Sequence, residues 1–200
     1  MSSSPRPRFR HVIVDRDGVL NREAPGGYVC TPEEWIWLPG TLEALSRLVR
    51  LGIRLSVATN QSCIGRGIID TQALETIHAK MLREAAAYKV SFSGIYFCPH
   101  APEAGCPCRK PEPGLILSAI RESGIPRTNT LFIGDSARDL QAGQAAGVST
   151  WLVRTGKGEE TEKMIQTNAI KGLEPTRIRI FDDLAAACEH IADLQRKASE

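Results

Sequence analysis

Asp15 and Asp17 stand two residues apart in Val12-Ile13-Val14-Asp15-Arg16-Asp17-Gly18-Val19-Leu20, directly after an apolar run. That spacing sets an attacking group beside a proton donor. A carboxylate can attack phosphorus to give an aspartyl-phosphate, and a neighbouring acid can protonate the departing oxygen. Taken alone, the stretch reads equally well as an Asp-Gly turn, since Gly18 lets the chain reverse. Three further polar clusters widen the choice. Thr59-Asn60-Gln61-Ser62 brings a hydroxyl and amides that suit phosphoryl oxygens, or a polar loop with capping potential. Arg109-Lys110-Pro111 brings cations that offset phosphate charge during transfer, or a solvated basic pair. Gly134-Asp135-Ser136-Ala137-Arg138-Asp139 brings an oxygen ligand for magnesium at Asp135, or an aspartate capping a helix.

A fifth cluster is of another kind. Cys98, His100, Cys106 and Cys108 fall within eleven residues. Thiolate and imidazole suit zinc, and four such ligands close a tetrahedral structural site. Pro99, Pro102, Gly105 and Pro107 make this stretch a loop with no core of its own, so bound zinc would supply its folding energy. The plainer alternative is one buried cysteine with two free loop thiols. Cys30 and Cys188 lack metal-like spacing.

The elements that must position these groups alternate. Strands are expected at Phe9–Val14, Ile53–Ala58, Gly94–Phe97, Leu131–Ile133, Thr150–Val153 and Arg177–Ile180. Helices are expected at Leu42–Leu51 with Thr41 as its N-cap, and at Thr71–Tyr88, Pro113–Ser123, Ser136–Ala146 and Asp183–Gln195. Gly124 and Gly147 suit helix C-caps. Repeated β-α units predict an α/β fold, a Rossmann-like three-layer sandwich with a mostly parallel sheet. Ligands of such sheets sit at the carboxyl ends of the strands, where all four polar clusters fall.

Residues 1–8 are polar and basic and read as a flexible tail, with 9–197 as a single domain. No signal peptide or membrane span is visible, so a cytoplasmic protein is expected. A net charge of +2, with 42% hydrophobic and 24% charged residues, gives no case for a nucleic-acid or membrane partner. His11, His78, His190, Trp35, Trp37 and Trp151 read as structural or packing residues.

The order Asp-x-Asp, Thr-Asn, Lys, Gly-Asp, each after an expected strand, resembles the haloacid dehalogenase-like superfamily across residues 12–139. The resemblance implies that Asp15 is the nucleophile and Asp17 the general acid/base. It implies that Thr59 and Lys110 hold the phosphoryl group. Magnesium would be bound by Asp15, the backbone carbonyl of Asp17, and Asp135. The short spans after Leu20 and between Asn60 and Arg109 imply a capless core, its cleft rimmed by 21–37, 61–70 and a zinc loop at 98–108.

Cys-x-His and Cys-x-Cys before Arg-Lys-Pro narrow the resemblance to the D-glycero-D-manno-heptose 1,7-bisphosphate 7-phosphatases and the related histidinol-phosphate phosphatases. Asn60-Gln61-Ser62-Cys63-Ile64-Gly65-Arg66-Gly67 and Leu152-Val153-Arg154-Thr155-Gly156-Lys157-Gly158 favour the heptose branch. That implies a sugar bisphosphate substrate on the route to ADP-heptose and the lipopolysaccharide core, catalytic magnesium, structural zinc and a monomer. Asn60, Gln61, Ser62, Arg66, Arg109, Glu23, Gly27 and Tyr28 become the candidate substrate contacts, with Arg109 or Arg66 on the uncleaved phosphate. Cys63 and Gly65 depart from the Gly and Ala usual in the branch. Ser136 stands where some relatives carry Lys, and Arg138 is an alternative source of that charge. A histidinol-phosphate phosphatase, and a zinc-loop binding module on an inactive scaffold, remain as rivals.

Overall fold

The computed structural model describes residues 9–197, so the expected tail at 1–8 lies outside the described residues. Six strands form one sheet: β1 (His11–Val14), β2 (Arg54–Asn60), β3 (Ile95–Cys98), β4 (Thr130–Gly134), β5 (Ser149–Val153) and β6 (Ile178–Phe181). Their order is β3-β2-β1-β4-β5-β6. All five pairings are parallel. The order reverses between β1 and β4, and at such a switch point the diverging connections open a crevice beyond the strand ends.

Both faces of the sheet are covered, which is why the central strands are apolar in succession. On one face Val12, Val14, Leu55, Val57, Leu131 and Ile133 pack against α1 (Thr41–Arg50), α3 (Thr71–Ala87) and α7 (Leu184–Lys197). On the other, Ile13, Ala58 and Phe132 meet α4 (Gly114–Ser123) and α5 (Ala137–Ala146). No domain is inserted between β1 and α1, where the chain makes only a short 3-10 turn at Pro32–Glu34. No helix among the described residues is long and apolar enough to cross a membrane.

Several boundaries differ from the sequence expectation, for physical reasons. The first ladder begins at His11 rather than Phe9, whose ring is buried edge-on against Trp151. β2 runs on to Asn60, because Thr59 and Asn60 still pair with Phe97 and Cys98. Backbone pairing does not need an apolar side chain, so the ladder outlasts the apolar run. Thr41 is not the cap of α1: Gly40, at φ 73°, takes the cap position and Thr41 is the first helical residue. Two helices were not expected, the short α2 (Ser62–Gly65) and α6 (Gly158–Gln166).

Candidate active site

Asp15 continues β1 past its end, its amide donating to the Ile133 carbonyl at 2.9 Å. Its Oδ1 accepts the Arg16 amide at 2.7 Å and faces the Lys110 ammonium at 2.9 Å. Its other oxygen has no hydrogen bond among the described residues. Beyond Asp15 the chain turns: Leu20 donates to the Arg16 carbonyl at 2.8 Å, and buried Val19 and Leu20 anchor the turn in the core. Asp17 stands on this turn. Its carboxylate accepts Asn21 Nδ2 at 2.9 Å and Gln61 Nε2 at 3.0 Å, and the Arg16 guanidinium lies against it.

Asp135 follows β4 and fits a very close space. A Cβ on Gly18 would stand 2.2 Å from Asp135 Oδ2, and one on Gly156 would stand 2.1 Å away. Both glycines have positive φ, 83° and 60°. Only residues without a side chain let two loops close on this carboxylate. The Lys157 amide donates to Oδ2 at 2.9 Å, and Thr161 Oγ1 to the Asp135 carbonyl at 2.9 Å.

Lys110 is buried among three acceptors: Asp15 Oδ1 at 2.9 Å, Asp139 Oδ1 at 2.5 Å and the Ala58 carbonyl at 2.9 Å. Its backbone is held as well. Asn60 donates to the Lys110 carbonyl at 3.0 Å and accepts the Lys110 amide at 3.1 Å. Asn60 therefore ties the end of the cysteine loop to the end of β2.

Asp139, absent from the expected site, is fully buried on the first turn of α5. Its Oδ2 accepts the Ser136 amide at 3.0 Å and hydroxyl at 2.6 Å. The carboxylate oxygens of Asp15, Asp135 and Asp139 lie within 4.8 Å of one another. Three carboxylates against one ammonium leave a formal charge of −2 (−3 + 1). Burial, then Asp139, pushes Asp15 up to about 7. Burial, then Asp139 and Asp15, pushes Asp135 up to about 8. Burial opposes the Lys110 charge, but Asp139 and Asp15 outweigh it and hold the ammonium above its usual range. Burial likewise opposes the Asp17 charge, and Arg16, Asn21 and Gln61 hold its carboxyl below its usual range. The acidic, oxygen-only donor set around Asp15 and Asp135 fits a hard divalent cation such as magnesium. Asp139 spends its oxygens on Lys110 and Ser136, so it balances charge at one remove.

These groups line a cleft of ≈ 370 Å³ with Glu23, Gly26, Gly27, Tyr28, Thr59, Asn60, Ser62, Arg109, Ser136, Arg138 and Lys157. Of the expected contacts, Glu23, Gly27, Tyr28, Asn60, Ser62 and Arg109 are therefore at the cleft. Gln61 lies behind it, buried, donating to both Asp17 Oδ2 and Thr59 Oγ1. Arg66 is outside the lining and faces Glu103 at 4.0 Å. Lys157 was not expected here; its ammonium meets Glu23 at 2.9 Å across the mouth.

The cysteine loop gathers its donors at one point. Cys98 Sγ lies 3.5 Å from Cys106 Sγ and 3.3 Å from Cys108 Sγ, and Cys106 and Cys108 are 3.4 Å apart. His100 Nδ1 is 3.6 Å from Cys98 Sγ and 3.4 Å from Cys108 Sγ. These separations are too long for disulfides. They approach the edge lengths of a tetrahedron around zinc with bonds of about 2.0–2.3 Å. The loop packs hard on α2: Gly65 donates to the Pro99 carbonyl at 2.8 Å, and a Cβ there would meet Ala101 N at 2.5 Å. Glycine at 65 is thus what admits this loop position.

Several known proteins are similar to this chain over most of its length. A family model described as HAD-hydrolase-like matches residues 107–187. The D-glycero-β-D-manno-heptose-1,7-bisphosphate 7-phosphatase of Bordetella bronchiseptica is 41% identical over 180 residues, 90% of this chain and 96% of its own. The enzyme of that name from Pseudomonas aeruginosa is 42% identical, over 88% of this chain and 93% of its own. The crystal structure of the Bordetella D,D-heptose 1,7-bisphosphate phosphatase, complexed with magnesium and phosphate, superposes with a TM-score of 0.84 at 40% identity. It covers 92% of this chain and 99% of that one.

Proposed function

The chain belongs to the family of D-glycero-β-D-manno-heptose-1,7-bisphosphate 7-phosphatases among the haloacid dehalogenase-like hydrolases, and on that premise we propose that it hydrolyses the 7-phosphate of D-glycero-D-manno-heptose 1,7-bisphosphate. The product would serve the synthesis of ADP-heptose for the lipopolysaccharide core. The observation that carries the reading is the meeting of Asp15, Asp17, Lys110 and Asp135 in one cleft beyond β1 and β4.

The unbonded oxygen of Asp15 attacks phosphorus as the bond from phosphorus to the sugar oxygen breaks. Asp17 gives its proton to that departing oxygen. The phosphoryl group, itself anionic, raises the proton affinity of Asp17 as it arrives and so works against the pull of Arg16. In the second step a water attacks the aspartyl-phosphate and gives its proton to Asp17. The bond from phosphorus to Asp15 breaks, inorganic phosphate leaves, and both carboxyl groups return to their starting state. Thr59 and Lys110 hold phosphoryl oxygens throughout. Asp15, Asp135 and the Asp17 carbonyl would hold magnesium, which when bound supplies positive charge to the phosphoryl oxygens.

Cys98, His100, Cys106 and Cys108 would hold a structural zinc. It would fix the loop so that Arg109 and Lys110 face the cleft. Glu23, Gly27, Tyr28 and Ser62 lie where the sugar would rest. Arg109 and Arg138 both line the cleft and a neighbouring cavity of ≈ 520 Å³ beneath the zinc loop, a place for the uncleaved phosphate. Arg66, outside the cleft lining, is given no contact in this reading.

A phosphate-release screen over heptose bisphosphate, histidinol phosphate and common sugar phosphates, with magnesium present, tests the reading. The highest kcat/KM is expected for the heptose bisphosphate. A higher value for histidinol phosphate would overturn the substrate, and no release from any of them would overturn the activity.

A further inference from the structure

Arg16 sits between the two aspartates, in a position where an exposed charge would be unremarkable, yet it is fully buried. Side chains of successive residues on an extended strand point to opposite faces, so a pair between residues 16 and 17 needs the chain to have left the strand. The turn closed on the Arg16 carbonyl does this. Arg16 Nε then lies 3.1 Å from Asp17 Oδ2, and Nη2 lies 3.1 Å from Oδ1 and 2.9 Å from Oδ2. Nη1 faces His78 Nε2 at 3.3 Å, and the guanidinium carbon stands 5.8 Å from the centre of the Trp35 ring. His78 is an acceptor there, an uncharged ring on α3. Arg16 is therefore seated from below by Trp35 and His78 and grips Asp17 from one side, while Asn21 and Gln61 grip it from others.

Stability does not explain this arrangement. Taking a guanidinium and a carboxylate out of water costs about as much as their attraction returns, and an apolar pair of similar volume is often as stable. What a planar fork adds is direction, since it fixes a carboxylate in orientation as well as place. We infer that Arg16 is a positioning residue that aims the Asp17 carboxyl at the oxygen leaving phosphorus, with Trp35 and His78 as its seat. The inference rests on the proposed phosphatase reading, in which Asp17 is the proton donor.

The leaving group supplies the test. A sugar alkoxide needs a proton to depart, whereas 4-nitrophenolate leaves without one. The ratio kcat/KM covers the steps up to departure and is blind to later hydrolysis of the aspartyl-phosphate. Arg16→Met is expected to lower kcat/KM for a sugar phosphate that the wild type hydrolyses by roughly 10²-fold, and to leave 4-nitrophenyl phosphate close to wild type. Asp17→Asn, the control, is expected to show the same selectivity with a larger loss. Arg16→Lys keeps the charge without the fork and is expected to show a smaller loss of the same selective kind. It decides the matter if Arg16→Met does not fold. Equal losses on both substrates in the Arg16 variants, or wild-type kinetics in Arg16→Lys, would overturn the inference. Equal losses in Asp17→Asn would overturn instead the acid role on which it rests.

Discussion

The carboxylates of Asp15, Asp135 and Asp139 are drawn together from β1 and the β4–α5 connection, whereas Cys98, His100, Cys106 and Cys108 come from a single stretch of eleven residues. The first cluster exists because the sheet exists. Its members are buried and repel one another, and burial first, then that repulsion, pushes Asp15 and Asp135 up to about 7 and 8, a cost the folded core bears. The second lies in a loop of prolines and glycines with little apolar packing of its own, so a metal there contributes to the fold itself. At the first site a bound cation would relieve repulsion; at the second it would tie the loop together. Removing the cation should therefore cost activity at the first and local structure at the second.

Asp15→Asn gives the largest expected effect. Turnover should fall by roughly 10⁴-fold or more, while the melting temperature stays level or rises, because repulsion with Asp139 and Asp135 is relieved. A strongly lowered melting temperature would break the comparison at its first half. Stripping zinc with a strong chelator, or Cys108→Ser, should come next. Protease cleavage is expected within 99–108 with the sheet intact, together with lost activity that magnesium alone does not restore. A loop that stays resistant without metal would break the second half. Gly156→Ala sharpens the contrast, since the added methyl collides with Asp135 Oδ2. Magnesium affinity should fall about tenfold or more, read by activity titration, with zinc content unchanged. Arg138→Ala is the mildest. It should raise KM for the bisphosphate by about tenfold, leave a monophosphate substrate unaffected, and lose its effect as salt is raised.

The strands and most helices were legible within a residue or two, because the central strands are buried on both faces and rich in apolar residues, even where Ser56 interrupts β2 and Arg179 interrupts the edge strand β6. Helix α6 was not. Its sequence, Gly-Glu-Glu-Thr-Glu-Lys-Met-Ile-Gln, fully buries only Gly158 and Thr161, and with Met164 and Ile165 as its only large apolar residues its inward face carries little apolar signal. The groups at the strand ends were readable from type and order, and the donors of the cysteine loop from their closeness in sequence. What stayed hidden was long-range or inverted in exposure. Asp139 meets Lys110 across 29 residues, and only the Ser136-to-Asp139 capping spacing hinted that it turns inward. Arg16, which residue type and spacing left without a role, is fully buried. Asn60 was expected at the ligand and lines the cleft, but its hold on the backbone of Lys110 was not legible, and Gln61 is turned inward to Asp17 and Thr59. Arg66 matched the branch pattern and yet points to Glu103, because chain pattern does not fix which way an exposed arginine leans.

The ammonium of Lys110 has three N–H bonds and sits among three acceptors: it donates to the Ala58 carbonyl and pairs with the carboxylates of Asp15 and Asp139. A phosphoryl oxygen that reached the lysine would crowd one of these three. The Ala58 carbonyl is fixed in β2 and Asp139 is sealed under α5, so the tenant that gives way is Asp15. On the proposed reading, Asp15 and the phosphoryl group would thus compete for one place on one cation. In the proposed reaction, a phosphoryl oxygen seated on Lys110 would loosen its hold on Asp15 Oδ1 and leave the other oxygen, already free of hydrogen bonds among the described residues, to face phosphorus.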